Sequence, residues 1–156
     1  MNMKKVILIP DSFKGTISSA QICAIMQSAN HNQFPAAEVI SIPVADGGEG
    51  SVDAFLQAMD GKRIETVVKG PYMQDMQAFY GVVDQGKTAV IEMAACAGLP
   101  LVRDNEHPDR TTTYGVGQLI QDALERGCTK IILGLGGSCT NVMGAGCATA
   151  LGVRFL

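Results

Sequence analysis

Five segments of the sequence carry residue types that can bind or transfer a charged group. They are DSFKG at 11–15, DGGEG at 46–50, Glu92 within VIEMA, TTTYG at 111–115 and GLGGSCTNVMGAG at 134–146. Each lies next to a run typical of a buried strand or an amphipathic helix. Because open parallel sheets bind ligands at the carboxyl ends of their strands, we expect these segments to cluster at one sheet edge.

The DSFKG segment offers a cation and a carboxylate in a tight turn. Lys14 is a flexible point charge, Asp11 a carboxylate and Ser12 a hydroxyl, and Gly15 lets the backbone approach a ligand closely. This pattern is typical of a phosphate or carboxylate clamp. It is equally typical of a solvated loop in which Asp11 and Ser12 satisfy backbone groups, so both interpretations stay open.

The DGGEG segment places two carboxylates among three glycines. Asp46 and Glu49 are suited to hold Mg²⁺, which binds few protein oxygens, or to act as a general base toward a substrate hydroxyl. Gly47 and Gly48 add no side-chain bulk beside them. A purely structural turn needs fewer glycines, so the pattern favours function.

Glu92 and the threonine segment each allow two interpretations. Glu92 has apolar neighbours, so its carboxylate either faces solvent, which is the commoner case, or pairs with a cation or ligand at the strand end. Thr112 and Thr113 stand at a predicted helix N-terminus, where hydroxyls hold an anion or simply cap the helix. Capping is the simpler interpretation.

The glycine run, residues 134–146, predicts an anion-holding turn between a strand and a helix. Backbone N–H groups around Gly136, Gly137 and Ser138, with Asn141 further along and a helix dipole behind, can cradle phosphate. No Gly-Lys-Ser/Thr follows, so the run is not a Walker A loop, and Cys139 replaces the third glycine of the dinucleotide fingerprint. A nicotinamide-dependent dehydrogenase is therefore disfavoured.

Composition excludes several classes of protein. The 156 residues carry a net charge of −3, and their 12 Lys and Arg are scattered, so we expect no nucleic-acid partner. Five cysteines without a CxxC pair predict reduced thiols rather than disulfides or zinc. The sequence contains neither a signal-peptide core nor an apolar run of about 18 residues, which predicts a cytoplasmic protein without a membrane partner.

Residue periodicity predicts an α/β fold with a parallel, Rossmann-like or flavodoxin-like sheet followed by a mixed sheet. The predicted first part comprises a strand at 5–9 buried on both faces, a helix at 18–29, a strand at 38–44 and a helix over 52–59 capped by Gly61. The predicted second part comprises a meander at 64–68, 78–83 and 88–93, a helix at 112–127, a strand at 130–133, a helix at 145–151 and a strand starting at 153.

The change of pattern after Gly61 predicts a domain boundary. Residues 1–62 would be the first part of a Rossmann-like domain, and residues 63–156 the first part of a second α/β domain with a mixed sheet. The chain ends within a motif, so we expect it to be truncated. Exposed sheet edges then predict marginal stability or self-association.

In this order and spacing, DSFKG, PVADGGEG, IEMAACAGL, TTTYGVG and GLGGSCTN resemble the bacterial glycerate kinases of the glycerate 2-kinase type. The resemblance extends from the first strand to Leu156. It implies a longer α/β protein of two domains and an ATP-dependent kinase with an alcohol group as acceptor. The implied substrates are ATP, with Mg²⁺, and glycerate.

The resemblance also places particular residues around substrate and nucleotide. These are Asp11, Ser12, Lys14, Asp46, Glu49, Gly136, Gly137, Ser138 and Asn141. Phosphoryl transfer needs a cation on the moving phosphate and carboxylates for Mg²⁺ or the attacking hydroxyl. Lys14 is therefore assigned to charge neutralisation, Asp46 and Glu49 to metal or base, and the glycine run to phosphate.

One departure from the family pattern affects chemistry. Family members usually read Thr-Asn-Asp-Gly-Gly here, whereas this chain has Val142 and Met143 after Asn141. Loss of a positioned acid costs roughly 10²- to 10⁴-fold in rate. The alternative hypothesis is accordingly a non-catalytic anion- or nucleotide-binding module, or a degenerate remnant.

Overall fold

The computed structural model describes residues 4–13 and 15–156 and divides into two compact units, with the division between Asp46 and Gly47. Lys14 lies outside the described residues. Both units combine helices with strands, which confirms the predicted α/β class. Over the described ranges, no helix is long and apolar enough to cross a membrane.

The first unit contains a parallel β-α-β arrangement, as predicted. Strand β1 (Lys5–Leu8), helix α1 (Ser19–Gln33) and strand β2 (Glu38–Ser41) follow in order, and β1 pairs in parallel with β2. Ser18 caps α1 through a capping box with Gln21, in which each side chain accepts the other residue's backbone N–H. That local signal predicted the start of the helix correctly.

Two burial predictions for this unit are wrong. Strand β1 is not buried on both faces: Leu8 is buried, but Ile7 is 55% exposed. The helical spacing of Ile22, Ile25, Met26 and Ala29 predicts an apolar face for α1, but this face is also largely in solvent: Ile25 is 60% exposed, while Ser19 and Cys23 are buried. A two-stranded sheet offers a narrow surface, so few positions of the helix find a partner within the unit.

The second unit is built on a mixed four-stranded sheet, which confirms the predicted meander. Its elements are α2 (Ser51–Ala58), β3 (Gly61–Lys69), β4 (Asp75–Val83), β5 (Thr88–Glu92), α3 (Ala94–Ala97), α4 (Tyr114–Glu125), β6 (Lys130–Gly134) and α5 (Ala145–Ala150). The strand order is β3-β4-β5-β6. Strands β3, β4 and β5 are antiparallel neighbours, and β6 runs parallel to β5.

Alternate residues of the strands face two separate apolar clusters. Tyr80 and Ile91 pack with Leu119 of α4, whereas Val83 and Val90 pack with α2 on the other face. Helix α2 is thus a cover of the mixed sheet, and the compact units divide before it rather than near residue 62. The domains at 1–62 and 63–156 stay a prediction about the architecture of the whole protein.

Two predicted elements at the ends of this unit are wrong. Gly61 does not cap α2, which ends at Ala58 and has the extended residue Met59 as its C-cap; Gly61 is instead the first residue of β3. A Cβ at Gly61 would lie 2.5 Å from the Val82 carbonyl oxygen, so glycine is needed for strand packing there. Residues 153–156 form no strand, because they pair with no neighbouring strand among the described residues.

Replacing Tyr80 by phenylalanine should lower the free energy of unfolding by about 1–2 kcal/mol. Burial, and then the hydrogen bond to Asp122, raise the pKa of Tyr80, so its protonated hydroxyl donates to the Asp122 carboxylate at 2.7 Å. Urea unfolding measures the loss. Tyr72→Phe is the matched control, since its hydrogen bond to the Asn105 carbonyl is exposed; equal losses in the two variants would contradict the prediction.

Candidate functional site

Two of the predicted segments meet backbone to backbone in the second unit. The Gly136 N–H donates to the Gly47 carbonyl oxygen at 3.0 Å. A Cβ at Gly134 would lie 2.4 Å from the Gly47 oxygen, and one at Gly136 would lie 2.7 Å from the Gly48 nitrogen. Close approach of the DGGEG segment to the glycine run, rather than a left-handed backbone, is what requires glycine at 134 and 136.

The segment after β5 completes this cluster. The Met93 N–H donates to the Gly134 carbonyl oxygen at 2.9 Å, and the Leu99 N–H donates to the Gly137 oxygen, also at 2.9 Å. Gly98 and Ser138 form an antiparallel bridge between the same two segments. The start of the glycine run therefore lies at the carboxyl ends of β5 and β6 and is bonded to the segment that follows β5, as expected for a ligand-binding edge.

Glu92 fits neither of its two predicted alternatives. The side chain is only 2% exposed, and its Oε1 accepts the Val52 N–H at 2.6 Å, at the N-terminus of α2. The Gly50 backbone provides a second hydrogen bond to the carboxylate. The carboxylate thus occupies the anion position of that helix from inside the protein. Sequence reasoning identified the residue but not its backbone partners, of which Val52 lies 40 positions away.

Folding stability should decline as pH rises because of Glu92. Burial raises the pKa of this carboxyl above its ordinary value, despite the hydrogen bonds from Val52 and Gly50. The folded chain therefore binds this proton more tightly than the unfolded chain does, so the stabilisation is complete below the ordinary pKa and is lost as pH rises through the raised pKa. Urea unfolding between pH 4 and 8 measures the free energy of unfolding as a function of pH. Glu92→Gln should remove this decline with pH, and equal slopes for the variant and the original chain would contradict the prediction.

The threonine segment supports the glycine run from the other side. The Thr111 hydroxyl donates to the Cys139 carbonyl at 2.8 Å, and the Thr113 hydroxyl accepts the Cys147 N–H at 3.0 Å. Both threonines are buried, whereas Thr112 is half-buried and its hydroxyl accepts the Tyr114 N–H at 3.2 Å. Thr113, the N-cap of α4, makes no side-chain capping bond. Fixing the glycine run is the structural role of this segment.

The later part of the glycine run is a loop rather than a direct entry into a helix. Helix α5 begins only at Ala145, so residues 135–144 separate it from β6. The Thr140 N–H donates to the Ser138 hydroxyl at 3.1 Å, which closes a small turn, and Asn141 is exposed. The expected helix dipole is therefore not directly behind Gly136 and Gly137, which leaves backbone amides and side chains as the groups for an anion.

The first unit brings two acidic segments to its own sheet edge. The buried Ser19 hydroxyl donates to the Pro10 carbonyl at 2.6 Å and accepts the Val44 N–H at 3.0 Å. Asp11 follows Pro10, and Asp46 lies two residues after Val44, so the ends of β1 and β2 present both acids. The Asp11 carboxylate accepts the Ser12 N–H at 2.7 Å. Sequence reasoning missed Ser19, whose only signal was its place beside the helix cap.

No three or more His, Cys, Asp or Glu side chains are grouped for a metal ion within residues 4–13 and 15–156. Asp46 and Glu49, the predicted Mg²⁺ ligands, both belong to the exposed part of the DGGEG segment.

The model of the glycerate kinase family matches residues 6–156. This chain belongs to the glycerate kinase family. The glycerate kinase of Bacillus subtilis (strain 168) is 46% identical over 153 residues, and the glycerate 2-kinase of Escherichia coli (strain K12) is 44% identical over 151 residues. These alignments cover 97% and 96% of this chain but 40% of each relative, so the chain spans about two fifths of their length.

A solved family structure agrees with the fold. The crystal structure of a Salmonella typhimurium LT2 protein with the provisional name glycerate kinase 2 matches with a TM-score of 0.77 and 39% sequence identity. The match covers 97% of this chain and 41% of the other. At this identity, the likeness supports both the fold and the family membership.

Met143, which replaces a glycine of the expected family pattern, has a strained backbone. Its φ is +48°, in the left-handed region, and its side chain is fully exposed. An L-residue pays about 1–2 kcal/mol in this conformation, which glycine adopts freely. The family expectation of glycine at this position thus has a direct conformational reason.

We expect Met143→Gly to stabilise the chain by about 1 kcal/mol, because relief of the left-handed strain exceeds the entropy of the more flexible unfolded chain. Thermal unfolding should show a rise in Tm of about 2–4 °C. Met143→Ala removes the exposed side chain but keeps the strain, so it should leave Tm nearly unchanged. Equal Tm values for the glycine and alanine variants would show that the positive φ at Met143 does not destabilise the chain.

Proposed function

We propose that this chain carries the phosphate- and substrate-handling loops of an ATP-dependent glycerate kinase of the cytoplasm. The reaction is transfer of the γ-phosphoryl group of ATP to a hydroxyl of glycerate. The observation that carries the proposal is the direct contact of the acidic DGGEG segment with the glycine run, through the 3.0 Å hydrogen bond between Gly136 and Gly47. Family membership supports the same reaction, since relatives of this chain are named glycerate kinases.

Phosphoryl transfer depends on positioning and on compensation of charge, and the residues divide accordingly. Lys14 neutralises charge on the moving phosphate, and Asp46 and Glu49 serve the metal ion or the attacking hydroxyl. The other proposed contacts to nucleotide or glycerate are Asp11, Ser12, Gly47, Gly48, Thr112, Thr113, Gly136, Gly137, Ser138 and Asn141. Among these, Thr113 acts through α5, which follows the glycine run, because its buried hydroxyl accepts the Cys147 N–H.

The DGGEG segment fits a Mg²⁺ ion that arrives with the nucleotide. Mg²⁺ typically takes one or two carboxylates and completes its shell with phosphate oxygens and water. Asp46 and Glu49 are exposed acids of the DGGEG segment, whose Gly47 is bonded to the glycine run. They can therefore supply the one or two carboxylates that such an ion needs. When bound, the ion would supply charge neutralisation between the phosphates.

The proposal is tested by incubating the chain with ATP, Mg²⁺ and D-glycerate and following ADP. We expect ADP formation that depends on glycerate. Asp46→Asn should lower its rate at least about 10²-fold. Asp60→Asn, which changes an exposed acid after α2, is the matched control and should not alter the rate. ADP formation that is independent of glycerate, or equal losses in the two variants, would overturn the proposal.

A second candidate function is a module that binds an anion or nucleotide without turnover. Val142 and Met143 favour it, because they place apolar residues where the family pattern has an acid and a glycine. Calorimetry with ATP, phosphate and D-glycerate separates the two: binding without ADP formation supports the module. Absence of binding, together with aggregation, supports a degenerate remnant.

A further inference from the structure

Glu92 links elements that carry the two loops of the proposed phosphate site. It is the last residue of β5, and its buried carboxylate accepts the Val52 N–H at 2.6 Å and a second bond from the Gly50 backbone. These two amides belong to the junction between the DGGEG segment and α2. The side chain therefore fixes the carboxyl-terminal end of that segment to the central strands of the sheet.

The main chain beside Glu92 fixes the other loop. The Met93 N–H donates to the Gly134 carbonyl at 2.9 Å, where β6 passes into the glycine run. The Gly136 N–H then donates to the Gly47 carbonyl at 3.0 Å and closes the ring of contacts. Glu92 at the end of β5 and Met93 directly after it thus hold the two loops, Glu92 by its side chain and Met93 by its backbone N–H.

The backbones of the glycine run and the DGGEG segment lie too close to each other for either loop to shift. Added Cβ atoms at Gly134 and Gly136 would lie within 2.4 and 2.7 Å of the backbone of Gly47 and Gly48. Such close packing requires both backbones to keep fixed positions. The end of the DGGEG segment therefore has to be anchored for its contact with the glycine run to persist. The anchor observed in the structure is the buried Glu92 carboxyl group, which accepts hydrogen bonds from backbone amides at the N-terminus of α2.

We propose that Glu92 is a positioning residue that sets the Gly47–Gly50 part of the DGGEG segment, and with it the acid Glu49, against the glycine run. The role rests on the proposed function, since the distance that matters is between Glu49 and a bound phosphate. The Glu92 side chain is buried at the α2 N-terminus. It acts through the amides of Gly50 and Val52.

Hydrogen exchange of backbone amides, followed by NMR on the ligand-free chain, tests the anchor. In Glu92→Ala, the Gly136 amide, which does not touch Glu92, should exchange about tenfold faster or more, while amides of the β3–β4 hairpin keep their rates. Glu92→Gln retains an oxygen acceptor and should keep the Gly136 rate within about threefold of the original.

Val90→Ala is the matched control, because Val90 is buried on the same face of the same strand. It should accelerate exchange broadly, by lowering global stability, without singling out the Gly136 amide. A Gly136 rate that changes no more in Glu92→Ala than in Val90→Ala, relative to the hairpin amides, would overturn the proposal. So would a glutamine variant that behaves like the alanine variant.

Kinetics with ATP, Mg²⁺ and D-glycerate extend the test to Glu49. A misplaced Glu49 should lower kcat in Glu92→Ala by about tenfold or more with a smaller change in KM for ATP, and Glu92→Gln should restore kcat. A larger effect on KM than on kcat would contradict the positioning role. A chain without turnover refutes the proposed function alone, because the exchange rates decide the anchor independently.

Discussion

Gly134→Ala is expected to lower the free energy of unfolding by about 2–3 kcal/mol, a large loss for one methyl group. The new Cβ would stand 2.4 Å from the carbonyl oxygen of Gly47, an atom of the backbone that no side-chain rotation can move away. The glycine run and the DGGEG segment would have to separate, which also breaks the hydrogen bond between Gly136 and Gly47. Urea unfolding measures the stability loss.

Gly144→Ala is the informative control for this substitution. Gly144 has a φ of +74° and open space around its Cβ position, so alanine there meets backbone strain without a collision. Its expected cost is about 1 kcal/mol. Gly134 has no positive φ, so its larger cost would come from close approach alone. If Gly134→Ala cost no more than Gly144→Ala, the two loops would not be in the contact described.

Local sequence signals predicted most of the elements. The capping box of Ser18 and Gln21 marked the start of α1, and alternating or continuous apolar runs marked the strands of the meander. The helical spacing of Val116, Leu119 and Ala123 gave α4 its buried face. These signals depend on neighbours a few positions apart, which is why a single sequence contains them.

Features that depend on distant contacts could not be read in the same way. Gly61 looked like a helix cap, but the close Val82 carbonyl across the β3–β4 pair explains it. Glu92 looked like an exposed or ion-paired acid, but its buried carboxylate accepts hydrogen bonds from backbone amides of a distant segment, including the Val52 N–H 40 positions away. The reason for Gly134 and Gly136 is likewise a contact with Gly47 and Gly48, so spacing identified the glycines without giving their purpose.

Val142→Asp is expected to raise glycerate-dependent ADP formation by roughly 10²-fold, within the range of a positioned acid–base group. Val142 is half-buried in the loop between β6 and α5, and its carbonyl accepts the Ala145 N–H at 2.9 Å. The side chain belongs to the loop that also carries Ser138 and Asn141. An acid there would join Asp46 and Glu49 as a candidate group for the metal ion or the attacking hydroxyl.

The charge, rather than the polarity, should account for this gain. Val142→Asn has nearly the shape of aspartate without its charge or basicity, so it should leave the rate close to that of the original chain. Combining Val142→Asp with Met143→Gly removes the strain at φ +48° and separates a kinetic gain from a gain in folded protein. Equal rates for the aspartate and asparagine variants, at matched folded fractions, would show that the missing acid is not what limits this chain. A rate that rises only with aspartate would instead mean that the remaining loops still hold ATP and glycerate in a productive arrangement. Valine at position 142 would then be enough to explain why the chain binds without turnover, as the binding-module alternative holds.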